Sequence, residues 1–142
     1  MNVLVDTSVW SLALRRSHAQ LSNQELDLKG DLQRLIEEGR VQIIGPIRQE
    51  LLSGIRRRDQ SLRIREQLSS FEDALLATED YEEAARIHNT CRAAGIAGSS
   101  VDFLICAVAL LRKWQVFTLD QDFQKYARHA DFLLFVPQGS RS

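Results

Sequence analysis

Short runs of apolar, often β-branched residues alternate along this chain with longer stretches whose apolar residues recur every three or four positions. Val3-Leu4-Val5, stopped by Asp6, is the first run, and Val41-Gln42-Ile43-Ile44, closed by Gly45-Pro46, is the second. Val116-Phe117-Thr118-Leu119 and Phe132-Leu133-Leu134-Phe135-Val136, the latter before Pro137, complete the set. Runs that do not alternate with polar residues predict strands covered on both faces, as in a parallel sheet. Between them, Leu26, Leu28, Leu32, Leu35 and Ile36 fall on one helical face, and Gly39 is placed to stop that helix. Pro46 opens a second helix through Leu51 and Leu52 toward Ile55. Further helices are predicted over 62–71, over 81–94 ahead of Gly95, over 101–113 with Ser99 or Ser100 as cap, and over 122–128. Strands alternating with helices predict an α/β fold: one domain over 1–142, with a central, mainly parallel β-sheet flanked by helices.

Composition narrows the picture. With 142 residues, 44% of them hydrophobic, the chain has enough apolar surface for one packed core and too little length for two. Lys and Arg number 18 against 19 Asp and Glu, a net charge of −1 that excludes a uniformly basic nucleic-acid binder but not a local basic face. The longest greasy stretch, Val101 to Leu111, is interrupted by Asp102 and falls short of the ~20 residues of a membrane span. The first residues lack the features of a secretory signal, so a cytoplasmic protein without a membrane partner is expected. Cys91 and Cys106 fall in separate predicted helices without zinc-like spacing and read as reduced core thiols. His18, His88 and His129 are scattered, and neither a Gly-x-Ser-x-Gly elbow nor a phosphate-binding Gly-Lys-Ser/Thr loop is present.

The candidate chemistry lies in carboxylates placed beside apolar residues. Asp6 ends the first strand and Asp120 follows the third, and ligands of open α/β sheets gather outside the carboxyl ends of strands. Asp102 falls in the first turn of the most apolar helix, and Glu50 lies between Ile47 and Leu51. Taken singly, each has a structural explanation: Asp6 or Asp120 as helix caps, Asp102 as a partner of the helix dipole, Glu50 as a solvated residue. Taken together, four clustered carboxylates repel one another unless a cation neutralises them. An all-oxygen set selects a hard ion, Mg²⁺ or Mn²⁺, of the kind that serves phosphoryl chemistry. Thr7 and Ser8 can orient an acid or cap a helix, and Asp122 can extend the acidic set or cap the last helix.

Val5-Asp6-Thr7-Ser8-Val9-Trp10 resembles the opening motif of PIN-domain ribonucleases, in particular the VapC-type toxins of bacterial toxin–antitoxin pairs. Gly45 to Gly54, with Glu50, is similar to the second motif of that family, and Ser100 to Ala107, with Asp102, to the third. Thr118-Leu119-Asp120-Gln121-Asp122-Phe123 matches the fourth, and the ordered set extends over nearly the whole chain. The resemblance implies a Mg²⁺-dependent endoribonuclease that cleaves RNA phosphodiester bonds with metal-activated water. In it Asp6, Glu50, Asp102 and Asp120 surround the metal, Asp122 joins or replaces Asp120, and Thr7, Ser8 and Thr118 support them. It further implies a homodimer, a tRNA or ribosomal RNA substrate, and inhibition by a VapB-like antitoxin that brings an Arg to the acids.

The segment from Arg48 to Arg65 is locally basic, and Arg48, Arg56, Arg57 and Arg58 are candidates to grip RNA phosphates, with a solvated helical face as the alternative. Trp10, Leu12, Leu14 and the apolar side of 26–36 read either as core or as a groove for a second copy or an antitoxin. A PIN-like module that binds RNA or protein without cutting is the competing function. A haloacid-dehalogenase-like phosphatase wants Asp-x-Asp where this chain has Asp6-Thr7-Ser8, and a response-regulator receiver wants an acidic pair where Asp6 stands alone.

Overall fold

The computed structural model describes residues 1–138. A four-stranded sheet of β1 (Val3–Val5), β2 (Val41–Gln42), β3 (Gln115–Phe117) and β4 (Leu133–Leu134) runs in the order β2-β1-β3-β4, and every pairing is parallel. Around it lie α1 (Thr7–Leu14), α2 (Asn23–Glu37), α3 (Gly45–Leu52), α4 (Arg58–Leu68), α5 (Thr78–Ala93), α6 (Ser100–Arg112) and α7 (Asp122–Ala127), with a 3₁₀ turn at His18–Gln20. β1 is buried throughout, as an unbroken apolar run between two helical layers should be. β4 departs from that expectation: it is an edge strand two residues long, and Leu133 is exposed.

Helix boundaries follow local chemistry. Ser22 caps α2 by accepting from the Glu25 amide while Glu25 reaches back to the Ser22 N–H, and Gly39 ends the turn at φ +69°. Gly95, at φ +79°, closes α5 in the same way. α4 runs 58–68 rather than 62–71: its arginines face solvent, only Ile64 and Leu68 are buried, and Phe71 leaves the helix to meet Trp10 edge-on at 5.3 Å. Trp10 and Leu12 are core residues, as are Leu28, Leu32 and Leu35 of α2, so packing inside the fold takes up most of the suggested groove. α5 and α6 are joined at one end by Gly95–Ser99 and at the other by Arg112, which pairs with buried Asp80 at 2.5 Å and donates to the Leu75 carbonyl. Among the described residues no helix is long and apolar enough to cross a membrane.

β1 is flanked on one side by β2 and on the other by β3, so the chain leaves it in opposite directions. The crevice at the carboxyl ends of β1 and β3 is therefore a topological switch point, where this class of sheet opens to a ligand.

Candidate functional site

Register puts the first two acidic segments side by side. Val5 pairs with Phe117, the Asp6 amide donates to the Phe117 carbonyl at 2.9 Å, and residues 6 and 118 leave the sheet together. Asp6 stands at the N-cap position of α1 but makes no capping bond with its side chain. Its Oδ2 instead accepts from the hydroxyls of Ser8 at 2.9 Å and Thr118 at 2.8 Å. Each hydroxyl in turn accepts a backbone N–H of the β3–α7 turn: Leu119 to Ser8 and Asp120 to Thr118, both at 3.0 Å. Amide, hydroxyl and carboxylate thus form two short relays that polarise one another and fix a carboxylate only 7% exposed. Thr118 belongs to this turn rather than to the strand, which is why β3 stops at Phe117 and not at Leu119.

The remaining acids arrive on helices. α3, opened by Gly45-Pro46, carries Glu50 on its exposed side, where Thr7 donates to Oε1 at 3.0 Å. An open cleft of about 440 Å³ passes Thr7, Pro46, Glu50, Ser53 and Val101. Asp102 is in the first turn of α6, where Ser99 caps the helix by accepting from the Asp102 amide at 3.1 Å. Tyr126 of α7 donates its phenol to Asp102 Oδ2 at 3.2 Å. Asp120 Oδ1 accepts from the Asp122 amide at 2.9 Å, so the capping reading holds for that oxygen, and Asp122 stands 3.4 Å from Lys125.

The charges of Asp6, Asp102, Asp120 and Asp122 act on shared neighbours. Burial pushes the Asp102 carboxyl above the usual carboxylate range; hydrogen bonds from Ser99 and Tyr126 oppose the rise and the Asp6 charge adds to it. The Tyr126 phenol is driven up by burial first, then by Asp102, Asp122 and Asp120. The Cys106 thiol, buried in α6, is likewise pushed up by burial and then by the charges of Asp102, Cys91 and Asp6. Both cysteines are buried free thiols held away from the thiolate form, in keeping with a core role. Helix N-termini at α1, α6 and α7 supply partial positive charge beside Asp6, Asp102 and Asp122.

None of the ion pairs given by the described residues involves Asp6, Glu50, Asp102 or Asp120; the fold's arginines neutralise other acids. Two hydroxyls engage Asp6 Oδ2 and a phenol engages Asp102 Oδ2, so each carboxylate keeps an oxygen outside these bonds. Such a donor set suits a hard divalent cation. Among the described residues, however, no three acid, His or Cys side chains stand ready to hold a metal ion by themselves.

The basic candidates separate. Arg48 is committed to the fold, donating to Asp73 at 2.9 Å and to the carbonyls of Leu68 and Phe71, which ties α3 to the end of α4. Arg57 pairs with Asp59 at 2.6 Å, and Arg56 and Arg58 are exposed. Sequence reasoning missed Tyr126 as a partner of Asp102. The available signal was a tyrosine on the buried face of a short helix three positions from Phe123, since a buried phenol normally finds an acceptor.

A sequence model of the PIN domain matches residues 3–129. Comparison with functionally curated proteins gave no match. Among solved structures, the chain is similar to FitAcB from Neisseria gonorrhoeae, with TM-score 0.73 and 21% identity over 95% of this chain and 97% of that one. VapBC2 from Rickettsia felis, bound to a DNA fragment from its promoter, gives TM-score 0.73 and 14% identity over 95% and 98%. VapBC-5 from Mycobacterium tuberculosis, of the VapBC family of toxin–antitoxin systems, gives 0.67 and 24% over 96% and 100%.

Proposed function

The chain belongs to the PIN-domain family, and from that premise we propose that it is a divalent-metal-dependent endoribonuclease acting as the toxin of a toxin–antitoxin pair. The observation that carries this reading is a set of acids at the sheet's switch point, Asp6, Glu50, Asp102 and Asp120, that takes part in none of the ion pairs among the described residues. Asp6, Glu50, Asp102 and Asp120 are the residues to hold Mg²⁺ or Mn²⁺, with Asp122 supporting Asp120. When bound, the cation acidifies water and stabilises charge on a phosphodiester in transfer. Ser8 and Thr118 fix the Asp6 carboxylate, and Thr7 fixes Glu50, so the donors are oriented before substrate arrives. Arg56 and Arg58, both exposed, are the residues proposed to take RNA phosphates, while Arg48 is occupied within the fold.

The same acids, outside the ion pairs of the described residues, suit the arginine of an antitoxin of the VapB kind, and such a partner in the cytoplasm is part of the proposal. A homodimer and a tRNA or ribosomal RNA target follow from the family resemblance. The test is cleavage of total cellular RNA by antitoxin-free protein with Mg²⁺, with a chelator, and by Asp6→Asn and Asp102→Asn. Discrete Mg²⁺-dependent cuts bearing 5′ phosphates, lost in both folded variants, are expected. Binding of RNA and partner without cutting, unchanged in the two variants, would instead identify a non-catalytic PIN module.

A further inference from the structure

Of the two tyrosines, Tyr81 is exposed and Tyr126 is fully buried. The Tyr126 ring packs between Phe103 of α6, at 5.0 Å, and Phe123 of its own helix, at 5.1 Å. A phenylalanine would satisfy that packing, so the hydroxyl has to be explained separately. It faces two acceptors, Asp102 Oδ2 at 3.2 Å and the Ala97 carbonyl at 3.4 Å. With one proton to give, it favours the nearer, charged oxygen.

The niche that receives the hydroxyl is made by Gly98. A Cβ at that position would stand 2.6 Å from the phenolic oxygen, 2.8 Å from the Phe103 ring and 2.9 Å from the Tyr126 ring. The atoms met belong to the Tyr126 and Phe103 side chains, so any side chain at 98 forces the phenol or the Phe103 ring to shift. Asp102 Oδ2 lies 3.5 Å from the Ser99 amide as well, so this one oxygen is approached from α7 and from the helix cap.

We propose that Tyr126, seated in the niche left by Gly98, is a positioning residue for the cation site: it holds Asp102 Oδ2 and leaves the other oxygen to face a divalent ion. The inference rests on the reading of these acids as a metal site. A group that orients a ligand without touching the ion acts through affinity, and loss of such a partner costs about 10–100-fold.

The experiment measures Mn²⁺ binding by the full-length, RNA-free protein through titration calorimetry, with melting temperature as the folding control. Tyr126→Phe and Gly98→Ala are each expected to bind Mn²⁺ at least about tenfold more weakly, and Tyr81→Phe to bind as the parent does. A folded Tyr126→Phe that binds within twofold of the parent overturns the inference and leaves the metal site standing. A parent that binds no Mn²⁺ overturns the metal reading and this inference with it. A second measurement leaves the niche intact: with 3-fluorotyrosine incorporated, the Tyr126 ¹⁹F resonance, assigned by elimination in Tyr81→Phe, should shift as Mg²⁺ is added. A resonance that stays still through saturating Mg²⁺ overturns the inference.

Discussion

A carboxylate that burial and a like-charged neighbour both disfavour weakens the fold that carries it, and Asp102 is in that position. Because its acidity is reduced in the folded state, the folded protein binds the extra proton between the ordinary carboxylate range and the raised value. Its contribution is thus favourable in acid and is lost as pH rises through that window. Asp102→Asn should therefore raise the melting temperature of the metal-free protein at neutral pH. The gain should vanish below the ordinary carboxylate range; thermal unfolding in chelator across pH checks both. Adding Mg²⁺ should stabilise the parent and leave the variant nearly unmoved. At this scale the sequence was uneven. Asp6, with no cap bond and two hydroxyl donors, was legible from its place after a strand. Arg48 was not, because its acceptors at Leu68, Phe71 and Asp73 lie at the end of α4 and in the segment after it, a placement that nothing local to Arg48 predicts.

Among elements, the end of the α5–α6 hairpin away from its loop is tied by a charge pair. Asp80 is buried and its carboxyl is held below the usual range, chiefly by the Arg112 hydrogen bond. Arg112→Met strands that charge and should cost about 3 kcal/mol in urea unfolding at neutral pH. Asp80→Asn in the same chain should recover much of it. For a lowered acid the sign is opposite to that of Asp102: its stabilisation is present above the ordinary carboxylate range and is lost as pH falls through the lowered value, so the Arg112→Met penalty should shrink in acid. Apart from α1, to which no span was assigned, strands and helices were legible in order and type because apolar runs and three-to-four-residue spacing survive any surroundings. Their limits were less so: β3 ends early because Thr118 turns to Asp6, and β4 is short and partly exposed because nothing pairs beyond it in the sheet.

For the molecule as a whole, a net charge of −1 means that polyanion binding must come from local placement. The Arg56→Ala/Arg58→Ala double variant should weaken RNA affinity, and the slope of log affinity against log salt should fall by roughly 0.7 for each phosphate no longer neutralised. Filter binding at several salt concentrations measures it, and an unchanged slope would return those arginines to solvent. The topology also sets the order of events in synthesis. The bond from Thr118 to Asp6 spans 112 positions, and the β1–β3 pairing that permits it is equally long-range. Pairings of such separation close late and slowly. Translation delivers Asp6 first and Asp120 among the last, so a partly made chain has the first acid without the strand that seats it. The acidic pocket therefore comes into being only after the chain has been made through β3 and the turn that follows it, and a chain broken off before that point carries Asp6 with no partner to seat it.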